Sequence, residues 1–172
     1  MSDQPNPMQN GNPPPPPLIV EIQYAKDISF EVPGAPAIFT TLRSQPQVNL
    51  DADLDVKQLQ EGANVFEVAL MLRVEARAQE QVCYIVEVTY CGIFTLNIPP
   101  EHADQVLSVD CPRLLFPFAR AIVADVSGQG GFPALMLPPI DVAQMLHAKR
   151  AQQAAAQGGA SDAGGNPPVG HA

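Results

Sequence analysis

Three histidines, three cysteines and an excess of carboxylates are the residues of this 172-residue chain that could do chemistry, and their spacing removes most of it. His102, His147 and His171 are scattered, and none stands beside a serine or cysteine in a triad-like setting. Cys83, Cys91 and Cys111 contain no Cys-x-x-Cys pair and no zinc spacing, so they read as buried or half-buried thiols of a reducing compartment. The glycines at 128, 130 and 131 follow a helical stretch, whereas a phosphate loop follows a strand and opens a helix. Carboxylates are numerous enough for a paired-acid hydrolase, but strand alternation already accounts for their positions. The expectation is a protein that is no enzyme, with no catalytic residue, no metal ligand and no cofactor.

The acids belong to strands. From Leu18 to Val32, Leu18, Val20, Ile22, Tyr24, Ile28, Phe30 and Val32 share one parity. Glu21, Gln23, Asp27, Ser29 and Glu31 share the other. A period of two gives a strand with one buried and one wet face, here an acidic wet face. Lys26 falls on the inward parity and marks a break, and Pro33-Gly34-Ala35-Pro36 ends the strand. A second strand runs over about 48–56, with Asp51, Asp53 and Asp55 on one side, neighbours about 7 Å apart. That ladder suits a metal, a basic partner, or protection of an edge strand, although no further ligands lie nearby.

Two further strands are predicted at Phe66–Arg77 and Gln81–Tyr90, joined by the short turn Gln79-Glu80 into an antiparallel hairpin. Glu67, Arg73 and Glu75 line the outward parity of one, and Gln81, Cys83, Ile85 and Glu87 that of the other. Ile85 beside Glu87 could form the dry centre of an acidic contact patch. Pro100-Glu101 opens a short helix, and Asp110-Cys111-Pro112 restarts a longer one carrying Leu114, Leu115, Phe118, Ile122, Val123 and Val126 at helical spacing. Pro117 predicts a kink or a late start there. So apolar a helix in so short a chain calls for a second subunit over it. The apolar, proline-bearing stretch from Phe132 to Pro139 should cross over the body. Asp141 with Gln144 then caps a last helix whose Met145 and Leu146 suit either adaptable binding or ordinary packing.

Formal charge is −9, from 18 acidic against nine basic residues, which argues against nucleic acid and anionic membrane surfaces. It suits a basic protein partner or plain solubility. No targeting segment and no run of about 18 apolar residues is visible, so a cytoplasmic protein without direct membrane insertion is expected. Residues 1–17 read as a disordered proline-rich tail, 18–153 as the single domain, and 154–172 as a disordered Ala/Gly-rich tail.

Taken together, Lys26-Asp27-Ile28-Ser29-Phe30-Glu31, Glu87 with Cys91-Gly92-Ile93-Phe94, and the run from Cys111 to Arg120 resemble the SecB family of bacterial export chaperones. Gly131-Phe132-Pro133 and Leu137-Pro138-Pro139 fit that family's crossover loop, and the resemblance covers about Ile19 to Leu146. It implies an α+β fold, a four-stranded antiparallel sheet with two principal helices, assembling as a homotetramer, a dimer of dimers. It implies a holdase that keeps preproteins unfolded in the cytoplasm and delivers them to the SecA ATPase. The positions matching the SecA-binding surface are Asp27, Glu31, Ile85 and Glu87. Those matching client-binding grooves are Val48, Leu50, Phe132, Leu135, Met145 and Leu146. Lys149 and Arg150 depart from the apolar or aromatic residues common there, and Thr40–Gln45 lacks a frequent tryptophan. The runner-up is a SecB-like chaperone associated with a toxin–antitoxin system.

Overall fold

The computed structural model describes residues 13–139 and 141–158; His171 and the tail stretches 1–12 and 159–172 lie outside them. The order of elements is β1 (Leu18–Glu31), α1 (Ile38–Thr41), β2 (Gln47–Gln58), β3 (Val65–Ala78), β4 (Gln81–Leu96), α2 (Pro100–Gln105), a π-helical turn (Val106–Asp110), α3 (Cys111–Gln129) and α4 (Val142–Gly158). The strands form one antiparallel sheet in the order β1-β4-β3-β2. β3 and β4 are central and carry the cleanest alternation. Val68, Leu70, Leu72 and Val74 on β3, with Val86, Val88, Phe94 and Leu96 on β4, bury one face against the helices. The Gln79-Glu80 turn joins them as expected, Gln79 taking a left-handed φ of 56°.

On α3 the buried stripe is Cys111, Leu115, Ala119, Val123 and Ser127, a spacing of four that faces the sheet. Gly92 on β4 makes that approach possible: a Cβ there would lie 2.6 Å from the Phe94 ring and 3.0 Å from Leu115. Two expectations need correction. The helix neither restarts at Asp110 nor starts late at Pro117. It is continuous from Pro100 to Gln129 through the π turn, with Pro117 inside α3. Pro117 costs one backbone hydrogen bond, but Leu115 and Ala119 on either side are fully buried, and that packing holds the helical path. Cys83, read as outward, is an extra residue in the β3–β4 pairing and joins the core.

The crossover is fixed at both ends. Gly131 takes a φ of +88° after α3. The buried Ser127 hydroxyl donates to the Val123 carbonyl (2.8 Å) and accepts from the Leu135 N–H (2.9 Å). Phe132 and Leu137 are buried beneath the loop, while Met136 is exposed. Asp141 caps α4, its carboxylate accepting from the Gln144 N–H at 3.2 Å, and pairs with Arg113 at 3.2 Å. At the other end, the Pro16 and Pro17 carbonyls accept from the side chain and backbone N–H of Asn97, both at 2.9 Å. α4 continues to Gly158, beyond Gln153.

Candidate functional site

Two bulges decide what β1 shows on each face. The ladder with β4 slips at Glu21 and again at Lys26, and each extra residue inverts the alternation. Lys26 is the expected break, while the slip at Glu21 is new. Between the two, Ile22 and Tyr24 turn to the outer face, opposite Ile93 and Cys91, instead of the inner one. Gln23 takes their place inside, opposite Gly92, with its Oε1 buried and unpaired among the described residues. Past Lys26 the expected parity returns.

The bulged segment is tied across β4 by one cluster. The Tyr24 hydroxyl donates to Glu67 on β3, and Lys26 Nζ lies 3.0 Å from the same carboxylate. Those two donors, the tyrosine first, hold the Glu67 carboxyl below its usual range. The hydrogen bond to Glu67 in turn raises the Tyr24 hydroxyl and the Lys26 ammonium.

Beyond the second bulge, Glu31 stands opposite Ile85, Ser29 opposite Glu87, and Asp27 opposite Thr89. The four residues named for partner docking, Asp27, Glu31, Ile85 and Glu87, therefore share one outer patch. The register carries it further. Glu87 faces Arg73 on β3, which faces Asp51 on β2, and the next row runs Thr89, Met71, Asp53. Asp27, Asp51, Asp53, Met71, Arg73 and Glu87 line a shallow hollow of about 230 Å³. Arg73 is a functional candidate that sequence reasoning passed over: it bonds Glu87 and lies 3.6 Å from Glu75. Its outward parity was visible, but its place among these acids depends on the β2–β3 register. Asp51 and Asp53 are answered by Lys149 Nζ of α4, at 2.9 and 3.2 Å.

On the opposite, helix-bearing side an apolar cavity of about 410 Å³ opens between the start of β2 and the crossover loop. Val48, Phe132 and Leu135 line it, as the groove positions anticipated; Leu42, Pro46 and Tyr84 join them. Tyr84 could have been found from its inward parity on β4. Its ring packs at a tilt, 4.7 Å from Phe132 and 5.8 Å from Phe30, and Phe39 backs Phe132 at 5.2 Å. The structure does not bring the other three anticipated positions to this cavity. Leu50 and Met145 are half-buried against the core and Leu146 is buried in it.

A third exposed surface lies on the same side. Val20 and Ile28 on β1 are exposed there, as are Leu114 and Phe118 on α3, the latter stacked on Tyr90. The three thiols are buried, and burial pushes Cys111 up to about 12 and raises Cys91. No helix among the described residues is long and apolar enough to cross a membrane.

The family model described as "Preprotein translocase subunit SecB" matches residues 11–153. "Protein-export protein SecB" of Granulibacter bethesdensis is 52% identical over 145 residues, covering 80% of this chain and 85% of that protein. The protein of the same description from Acidiphilium cryptum is 48% identical over 150 residues, covering 79% and 90%. Among solved structures, a SecB-like chaperone of Mycobacterium tuberculosis in complex with a ChAD peptide from the HigA1 antitoxin aligns with a TM-score of 0.60. It covers 72% of this chain and 90% of that one at 16% identity, a likeness of fold alone. By its matched residues and the identity of its relatives, the chain belongs to the SecB family of protein-export chaperones.

Proposed function

We propose that the chain works as a tetrameric holdase in the cytoplasm, binding unfolded preproteins on its helix-bearing side and docking SecA on its acidic outer face. The observation that carries this is the separation of two chemically different surfaces by one sheet: a 410 Å³ apolar cavity on one side and the Asp27–Glu31–Glu87 patch on the other. An unfolded chain exposes apolar segments. Burying about 100 Å² of one is worth about 2.5 kcal/mol at about 25 cal/mol per Å². One such segment binds weakly. Several on one assembly bind tightly through effective concentration, with no sequence motif needed. Native proteins hide these segments, so selection follows folding state, and no bond is made or broken.

Self-association is supported by Val20, Ile28, Leu114 and Phe118, exposed on the helix-bearing side. A second copy over that surface would cover the apolar groups. The antitoxin-associated reading draws on the mycobacterial neighbour's peptide, whereas the relatives above 45% identity are named for protein export. The test is suppression of aggregation of a reduced, unfolded protein at stoichiometric chaperone without ATP, with native mass spectrometry of the assembly. Suppression by a tetramer is expected; no suppression by a monomer would overturn the proposal.

A further inference from the structure

Lys149 leaves α4 on the helix-bearing side and reaches round the β2 border to the outer face. Its Nζ lies 2.9 Å from Asp51 Oδ2, 3.2 Å from Asp53 Oδ2 and 3.2 Å from the Ala52 carbonyl. Those carboxylates also line the hollow shared with Asp27 and Glu87. We propose that Lys149 is an internal cation that competes with a basic partner for the acidic face, so that a partner's cation in the hollow releases α4 from the β2 border. This rests on the acidic face being a docking surface.

The construction of α4 supports the idea. Ala143 and Leu146 are its buried apolar anchors, with Met145 half-buried, and all lie in its first turns. Asp141 pins its start through Gln144 and Arg113. After Leu146 the sequence offers His147, Ala148, Arg150, Ala151 and Gln152, of which the described side chains are exposed. Lys149, half-shielded with 26% of its side chain exposed, is the outermost hold on the body among the described side chains of α4. Hydrogen bonding to Asp51, more than desolvation, keeps its ammonium above the usual range.

Two cations cannot share the same pair of carboxylates at full strength. A Lys or Arg from a partner therefore weakens the Lys149 contact, and by linkage the loss of Lys149 must strengthen the partner's contact by the same factor. Release would loosen the helix that carries Leu146 into the core and packs against β2. Occupation of the outer face would thus be felt on the apolar side.

The experiment uses the full chain, the Lys149→Met and Lys149→Arg variants, and a synthetic decapeptide of alternating lysine and serine as the probe. Amide exchange is followed over residues 147–152 and probe affinity by calorimetry. The probe should speed exchange there about fivefold in the wild type, the scale of one well-placed, partly shielded ion pair. Lys149→Met should show the same acceleration without probe and bind the probe about fivefold tighter, while Lys149→Arg should behave as wild type. Unchanged exchange in Lys149→Met overturns the latch. Probe binding that leaves α4 unaltered, or probe binding to neither form, overturns the competition. SecA titrated against the same wild-type sample separates the two levels: if SecA binds and α4 keeps its protection, docking stands and the latch falls. If SecA does not bind, the docking reading falls on its own.

Discussion

Reversing the charge of Glu87 tests the acidic face most directly. Glu87→Lys changes the local charge by about two units at a side chain 47% exposed and central to the patch. A partner cation in ion-pair contact, about 4 Å away, gains about 1 kcal/mol per unit charge in water, so the reversal costs about 2 kcal/mol. That is about a 30-fold loss of SecA affinity at low salt. Arg73 adds to the loss: without Glu87 it turns fully to Glu75, already 3.6 Å away, and neutralises a second acid. The fold should survive, since an exposed pair such as Arg73–Glu87 is worth at most about 1 kcal/mol. The assay is SecA affinity in about 50 mM and 500 mM salt, where screening shortens the reach of the charge and the loss should shrink to a few-fold. Arg73→Gln supplies the opposite sign, leaving the patch more acidic and binding tighter by about two- to threefold. Equal affinity for wild type and Glu87→Lys at low salt would refute the reasoning. So would an equal loss at both salts, because a lost shape would then explain it better than a lost charge.

Other expectations follow from packing and titration. Phe132→Ala removes the ring between Tyr84 and Phe39 and should cost about 3 kcal/mol locally, read as faster amide exchange across the crossover loop and lost affinity for an unfolded client. Gly130→Ala places a methyl inside the ring of Phe30 and should lower stability by about 1–3 kcal/mol in urea unfolding, whereas Gly128→Ala, whose Cβ would meet only Ala134 at 3.7 Å, should be nearly neutral. Because the Glu67 carboxyl is held low by Tyr24 and then Lys26, its contribution is present above the unfolded carboxyl range of about 4.3 and is lost as pH falls through the lower folded value. The gap in urea midpoint between wild type and Glu67→Gln should therefore be wide at neutral pH and close on acidification; a gap independent of pH would contradict it.

The acidic patch was legible because β3 and β4 alternate without a fault over its whole length, and because Asp27 and Glu31 lie beyond the second bulge. Ile22 and Tyr24 were misplaced because a bulge is a property of two strands. Lys26 betrayed one by falling on the apolar parity, whereas Glu21 fitted the polar parity and hid the other. Pro117 suggested a late helix start because its local cost is plain in sequence while the burial of Leu115 and Ala119 is not. Arg73 among Asp51 and Glu87 needed strand register, and Lys149 against Asp51 joins residues far apart in the chain. Alternation could supply an acidic surface; only family resemblance could attach SecA to it.

The two slips in β1 have a consequence for how this protein survives its surroundings. A four-stranded open sheet kept beside unfolded chains is a template on which strands can add without end, the route to fibres. Here both borders resist it. On β1 the slips at Glu21 and Lys26 break the even spacing that a newcomer would need to pair along the whole border. On β2 the carboxylates of Asp51, Asp53 and Asp55 face an arriving strand with charge, and Lys149 lies across its middle. The sheet can thus stay in contact with sticky, extended polypeptide and still not be recruited into its aggregates.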